Sequence, residues 1–185
     1  MVAKAADAEK RVIPGSTELA EAVARAFHKL LAYKDEYEVA RLHVETGFLA
    51  RLAEQFDGGT LAFHLAPPLF ARRDPVTGHP RKMRLGPWIV PVFRLVARLK
   101  FLRGTWADPF GYTAERRLER RMIDAYETLI TSRVIPALTA KNLALAVEIA
   151  RLPLSIRGFG HVKAAAEKDA STRLIGLLHR WSGAA

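Results

Sequence analysis

"TLAFHLAPPLFARRDPVTGHPRKMRLGPW", residues 60–88, is the stretch in which the hydrophobic pattern changes its period. At its start, in "LAFHL" (61–65), apolar residues alternate with small or polar ones, as they do in a half-buried strand. Farther on, "LFARR" and "RKMRL" flank "DPVTGHP", where Asp74 can open a turn and Gly78 can adopt positive φ. The pattern therefore predicts an antiparallel β insertion of two or three strands at about residues 60–86.

The segments on both sides of this insertion have helical periodicity. Before it, apolar residues recur at spacings of three and four from Leu19 to Val44, which predicts one continuous helix after a cap at Ser16 or Thr17. After it, further helices are predicted at about 87–104, 113–135, 139–152 and 161–181. We therefore predict a mainly α fold with a small antiparallel β insertion, an α+β architecture with helices at both ends.

Length and composition predict one domain. The 185 residues, half of them hydrophobic, suffice for a single core, and we expect a globular domain over 15–182 after a flexible segment over 1–14. The absence of cysteine excludes disulfides, thiolate zinc sites, cysteine-ligated clusters and a cysteine nucleophile. The N-terminus lacks an apolar stretch of signal-peptide length and no run of about 18 apolar residues occurs. We therefore expect a cytoplasmic protein without a membrane partner.

Positive charge is concentrated in one segment. The chain has a net charge of +10, and residues 72–103 hold nine basic residues and one acid, Asp74. Such a segment attracts phosphates or acidic proteins through salt-sensitive forces, or packs against acidic surface within an assembly. The candidate anion- or partner-binding residues here are Arg72, Arg73, Arg81, Lys82, Arg84, Arg94 and Arg98.

A second candidate anion site lies in "LSIRGFGHVK" (154–163). Its two glycines permit unusual backbone conformations, and the helix that follows can present amides to an anion beside Arg157, His161 and Lys163. The alternative is a helix-breaking bend with Phe159 in the core, because the stretch matches neither GxGxxG nor a Walker pattern.

Two other motifs carry polar groups of catalytic type. The acids of "YKDEYE" (33–38) can form an acid/base pair or a divalent cation site, although their helical spacing also suits surface ion pairs, Glu38 with Lys34 or Arg41. In "DPFGYTAERR" (108–117), Tyr112 can bind a substrate or anchor a capped helix. Neither metal-binding histidine spacing nor GxSxG occurs, so we predict no metal site and no hydrolase nucleophile.

Five stretches occur in order along the chain: "LLAYKDEYEVARL" (30–42), "FHLAPPLFARRDPVTGHPRK" (63–82), "GPW" (86–88), "DPFGYTAERR" (108–117) and "LPLSIRGFGHVK" (152–163). Together they resemble the C-terminal region of the fused bacterial indolepyruvate ferredoxin oxidoreductases. The resemblance implies a larger enzyme that uses thiamine diphosphate and magnesium to decarboxylate 2-oxo acids. Such an enzyme passes electrons through iron–sulfur clusters to ferredoxin and keeps the acyl group on coenzyme A.

None of that machinery can be assigned to this chain, which lacks the cluster cysteines and a GDG-type stretch leading to a metal-binding asparagine. We predict no catalytic residue and no cofactor here. The expected role is that of an accessory C-terminal domain of the larger polypeptide, structural or partner-docking and non-catalytic alone. Its expected partners are the remaining domains of the oxidoreductase and, through the basic residues, ferredoxin or coenzyme A.

Two hypotheses of other classes stay open. The high positive charge is compatible with a nucleic-acid-binding module, although the basic residues match no zinc-finger, KH or RRM pattern. An independent small enzyme would be built on Tyr112, Arg116, Arg157 and His161.

Overall fold

The computed structural model describes residues 1–33, 35–65, 81–158 and 160–184 and confirms the predicted fold class, mainly α with a small antiparallel sheet. The α-helices are α1 Val2–Val12, α2 Glu18–Leu31, α3 Glu36–Val44, α4 Phe48–Gln55, α5 Val90–Arg98, α6 Ala114–Leu129, α7 Leu143–Arg151 and α8 Gly160–Ala184. The strands are β1 Phe63–Leu65 and β2 Met83–Leu85. Short 3-10 helices cover Pro87–Ile89, Leu99–Leu102 and Leu152–Ser155, and a π-helical turn covers Ile130–Val134.

The two strands confirm the predicted β insertion. They pair antiparallel, with Phe63 opposite Leu85 and Leu65 opposite Met83. Phe63 is buried while His64 faces solvent, as the alternating pattern predicts. The predicted strand "LFARR" and the turn "DPVTGHP" lie outside the described residues, as do Arg72 and Arg73.

The chain divides into two compact units, each with its own cluster of buried side chains. The terminal unit comprises Met1–Tyr33 and Leu118–Ala185, and there α2 packs against α1 and α7. The central unit comprises Lys34–Arg117, and there α3 packs against α5. The expectation of a single globular domain over 15–182 stays a prediction.

The N-terminal segment, expected to be flexible over 1–14, instead forms α1. Ala5 and Ala8 lie on one face of this helix and are fully buried in the terminal unit. The carboxylate of Glu9 is also fully buried and accepts a hydrogen bond from the backbone amide of Leu19 at 2.9 Å. Contacts with α2 therefore order a segment whose own sequence has few large apolar residues.

The predicted continuous helix from Leu19 to Val44 is two helices. The first, α2, ends at Leu31, and α3 begins at Glu36. Asp35 is the N-cap of α3, because its Oδ1 accepts a hydrogen bond from the backbone amide of Glu38 at 2.8 Å. A capped helix start interrupts a run of residues whose apolar spacing is compatible with one helix.

The later helices follow the predictions with one shift. The predicted helix over 113–135 is α6 followed by the π-helical turn, and the predicted helix over 161–181 is α8. The helix expected from Thr139 begins at Leu143 instead. The reason is a reciprocal turn: Asn142 Oδ1 accepts from the Thr139 amide at 2.8 Å, and Thr139 Oγ1 accepts from the Asn142 amide at 3.3 Å.

Candidate functional site

The two polar motifs singled out in the sequence meet in the central unit. Tyr37, in the first turn of α3, donates a hydrogen bond from its hydroxyl to Asp108 Oδ1 at 3.1 Å. Its ring also lies edge-on to that of Phe110, with 5.2 Å between the ring centroids. "YKDEYE" and "DPFGYTAERR" therefore belong to one buried polar network.

Asp108 organises the loop that precedes α6. Its Oδ2 accepts from the Gly104 amide at 2.9 Å, and its Oδ1 accepts from the Phe110 amide at 3.1 Å. Burial by itself would raise the pKa of Asp108, but the Gly104 amide and the Tyr37 hydroxyl, among other donors, bring that pKa below its ordinary value. The carboxylate is thus held in its ionised form as a turn organiser.

The two acids at the start of α3 face basic partners. Asp35 Oδ2 lies 2.5 Å from Arg103 Nε, and Glu36 Oε2 lies 3.4 Å from Arg116 Nε. Burial raises the pKa of Glu36 and the nearby positive charge of Arg116 opposes that rise. The side chains of Asp35 and Glu36 are only 4% and 18% exposed, so these two acids do not form surface ion pairs but lie buried beside their basic partners.

The third acid of the motif behaves as predicted. Glu38 and Arg41 form an ion pair on α3 with 2.7 Å between Oε1 and the guanidinium nitrogen. The other predicted partner of Glu38, Lys34, lies outside the described residues.

Tyr112 and Arg116 contact different partners in the structure. Tyr112 is largely exposed, and its hydroxyl donates to the backbone oxygen of Trp106 at 2.6 Å. Arg116 is buried beside Glu36. The first of these residues therefore anchors a loop, and the second neutralises a buried acid.

The central unit exposes an apolar stripe along α5 and the 3-10 turn before it. Trp88, Val92 and Leu95 are 63%, 43% and 58% exposed. Their spacings of four and three residues place them on one side, whereas Phe93 and Ala97 are buried on the other. The helix therefore presents large apolar side chains both to the core and to solvent.

Two arginines lie on one side of this stripe. Arg94 and Arg98, four residues apart on α5, are both exposed. We call the surface formed by Trp88, Val92, Leu95, Arg94 and Arg98 the apolar–basic face. Two more exposed aromatic residues of the central unit follow α5, Phe101 and Trp106.

The other basic residues predicted in this segment are distributed as follows. Arg81, Lys82 and Arg84 are exposed at or next to β2. The sequence identified Arg94 and Arg98 as candidate binding residues but did not reveal the exposed apolar stripe beside them. The available signal was "PWIVPVF", which is too apolar for a helix with only one buried side.

In the glycine-containing stretch 154–163, the terminal unit has a bend at Gly158, between the 3-10 helix Leu152–Ser155 and α8. Gly158 has φ +94°, and a Cβ at that position would lie 2.6 Å from Val162 Cγ1, so the bend requires glycine. Lys163 Nζ lies 2.7 Å from Glu119 Oε1, which neutralises it, whereas Arg157 is exposed. The side chains of Phe159 and His161 are outside the described set. Anion binding by Arg157, His161 and Lys163 therefore stays a prediction.

A pH titration tests the network around Asp108. Burial, together with the hydrogen bond to Asp108 and its charge, raises the pKa of Tyr37 to about 12. Because the pKa of Tyr37 is higher in the folded state than in the unfolded state, the neutral hydroxyl stabilises the fold. This contribution is complete below the unfolded pKa of about 10 and is lost as pH rises through the folded pKa. We expect the Tyr37 ring-carbon NMR signal, assigned by its loss in Tyr37→Phe, to titrate near pH 12. A midpoint at the ordinary value, or one unmoved by Asp108→Asn, would contradict the network.

Across the described ranges, neither a group of three or more metal-ligating side chains nor a helix long and apolar enough to cross a membrane is found.

Comparison with known proteins gives a family. A model of the family described as "Family of unknown function (DUF6537)" matches residues 1–175. No curated protein and no solved structure matches the chain. Because the family match spans nearly all of the 185 residues, the chain belongs to the DUF6537 family.

Proposed function

We propose that the chain is a non-catalytic accessory domain that docks onto a protein partner, in an assembly resembling the fused indolepyruvate ferredoxin oxidoreductases. The observation that carries the proposal is the apolar–basic face of the central unit. Its Trp88, Val92 and Leu95 side chains are large, apolar and exposed on one side of a helix. Contiguous apolar surface rimmed by charge is a feature of interaction sites.

The composition of this face supports protein docking. Tryptophan and arginine are enriched at the energetically dominant positions of protein interfaces, and both occur on this face. Covering Trp88 and Leu95 removes apolar area from water, while Arg94 and Arg98 favour an acidic partner and speed the encounter. The face therefore combines a source of affinity with a source of charge specificity.

The polar network supports a scaffolding role. Asp108 and Asp35 are engaged by backbone amides, a tyrosine hydroxyl and an arginine. Because the pKa of Asp108 lies below its ordinary value, its carboxylate is stabilised as an anion and is a poor proton donor or acceptor at neutral pH. The carboxylates of Asp108 and Asp35 hold a loop and a helix start of the central unit in place.

The resemblance supplies the candidate partners. In such an oxidoreductase the thiamine diphosphate, magnesium and iron–sulfur clusters belong to other regions, which this chain would contact from outside. The remaining domains of that enzyme are the first candidate partner. Ferredoxin and coenzyme A are candidates for the basic residues, because both carry negative charge.

A charge-reversal experiment tests the face. We expect the full chain to bind the catalytic region of the oxidoreductase from the same organism, and Arg94→Glu with Arg98→Glu to weaken binding by about tenfold or more. Binding is measured by surface plasmon resonance at low and near-physiological salt, with ferredoxin and coenzyme A as separate analytes. A matched double reversal in the terminal unit, Lys168→Glu with Arg173→Glu, removes the same charge from other exposed positions.

Three outcomes would count against the proposal. The docking role fails if the wild-type chain binds neither the catalytic region nor ferredoxin. The role of the face fails if both double variants weaken binding equally, since only net charge would then matter. Tight binding to a single-stranded oligonucleotide at near-physiological salt, with no protein partner, would instead support the nucleic-acid module.

A further inference from the structure

The terminal unit contains an apolar cavity of about 140 Å³ among α2, α6, α7 and α8. Its principal apolar lining residues are Leu30, Met122, Tyr126, Leu129, Ile149 and Leu174. Ala125 and Ser171, which also line it, are exposed, so the cavity opens to solvent between α6 and α8. None of these residues belongs to the apolar–basic face.

The inner lining offers few hydrogen-bond partners to a water molecule. Among the buried lining residues that the structure describes, the only hydroxyl is that of Tyr126, which donates to the backbone oxygen of Ala150 at 2.9 Å. A stably bound water needs about two to four polar partners, and a cavity of about 150 Å³ lined by aliphatic and aromatic side chains stays dry and takes up benzene. The inner part of this cavity therefore suits one apolar ring.

The mouth of the cavity carries the negative charge of a lining residue, Glu167. Glu167 and Ser171, one helical turn apart on α8, both line it, and Ser171 Oγ donates to Glu167 Oε1 at 2.9 Å. The second carboxylate oxygen can accept a hydrogen bond from a ligand. A carboxylate at the mouth also repels an anionic group at the same place.

We propose that this cavity binds a small single-ring aromatic molecule whose polar end is a hydrogen-bond donor or a cation. The ring lies against Leu30, Leu129 and Leu174, and the donor faces Glu167. An acid with the same ring is rejected, because its carboxylate would face that of Glu167. This inference is independent of the docking proposal, since the cavity lies in the terminal unit.

Three probes with one ring and different polar ends test the proposal. We titrate the methyl-labelled full chain with benzyl alcohol, benzylamine and benzoate and follow the leucine signals by NMR. We expect saturable shifts at Leu30, Leu129 and Leu174 with the alcohol and the amine, and affinity for benzoate lower by about tenfold or more. In Glu167→Gln the preference for the amine over benzoate should shrink to less than about threefold.

Two cavity variants with opposite effects on the cavity volume, and one control variant, make the test decisive. Ala170→Leu adds volume at a buried lining position and should weaken benzyl alcohol binding by about tenfold or more. Ala165→Leu, at an exposed position of the same helix, should not. If Ala170→Leu does not fold, Leu174→Ala replaces it, and this enlarged cavity should gain binding of 2-naphthylmethanol. Shifts confined to residues outside the cavity, or affinities unchanged in these cavity variants, would overturn the proposal.

Discussion

Glu9→Ala should lower the free energy of unfolding of the terminal unit by about 3 kcal/mol. The Glu9 carboxylate is fully buried and serves as the cap of the neighbouring helix α2. It accepts from Ser16 Oγ at 2.6 Å, the Leu19 amide at 2.9 Å and the Ala20 amide at 2.9 Å. Alanine leaves these donors without an acceptor and opens a cavity where α1 packs against α2. Urea unfolding followed by circular dichroism measures the loss.

Two variants separate this mechanism from a general effect of losing a charge. Asp7→Ala removes an exposed acid from the same helix and should change the stability by less than about 0.5 kcal/mol. Glu9→Gln keeps the shape and one acceptor oxygen, so its cost should be intermediate. Equal effects of Asp7→Ala and Glu9→Ala would show that helix charge, and not the buried cap, matters.

The same carboxylate makes stability depend on pH. Burial acts to raise the pKa of Glu9, but the hydrogen bonds from Ser16, Leu19 and Ala20 together bring it below its ordinary value. A lowered folded pKa means that the stabilisation is present above the unfolded value and is lost as pH falls through the folded one. Wild type should therefore lose stability in mild acid more steeply than Glu9→Gln.

The role of Glu9 could not be predicted from the sequence, whereas the helical fold could. Helical spacing and capping residues predicted the helical fold, because neighbours on one helix face are fixed by local geometry. The cap of α2 comes from another helix, ten residues before Leu19, and no local pattern marks such a contact. The first fourteen residues were for that reason expected to be flexible, although their buried alanines and Glu9 pack in the terminal unit.

In the candidate site, too, local contacts could be predicted from the sequence and long-range contacts could not. Tyr37 and Asp108 are 71 residues apart in sequence, so their hydrogen bond could not be predicted from spacing. The pair of Glu38 and Arg41, three residues apart on one helix, could be predicted and is confirmed. The first strand was recognisable because Phe63 and Leu65 alternate with small or polar residues, a pattern that depends only on the two-residue period of a strand. Its pairing with β2 could not be predicted from that period.

Asp108→Ala should lower the free energy of unfolding of the central unit by about 3 kcal/mol. The side chain is 5% exposed and accepts hydrogen bonds from the Tyr37 hydroxyl and the Gly104 and Phe110 amides. Removing a buried acceptor leaves these donors unsatisfied, which costs more than a typical hydrogen bond contributes. Urea unfolding followed by the backbone NMR signals of the central unit measures the loss. Asp57→Ala, an exposed acid in the same unit, should change stability by less than about 0.5 kcal/mol.

This variant also separates the scaffold from the surface that it supports. If the polar network holds the central unit in place for docking, Asp108→Ala should weaken partner binding and stability together, because a less ordered unit pays an ordering cost on binding. Reversal of Arg94 and Arg98, both exposed, should weaken partner binding with little change in stability. If Asp108→Ala loses stability but binds the partner as tightly as the wild type does, the docking surface lies elsewhere. Loss of binding at full stability would instead assign Asp108 a direct contact with the partner, contrary to its burial.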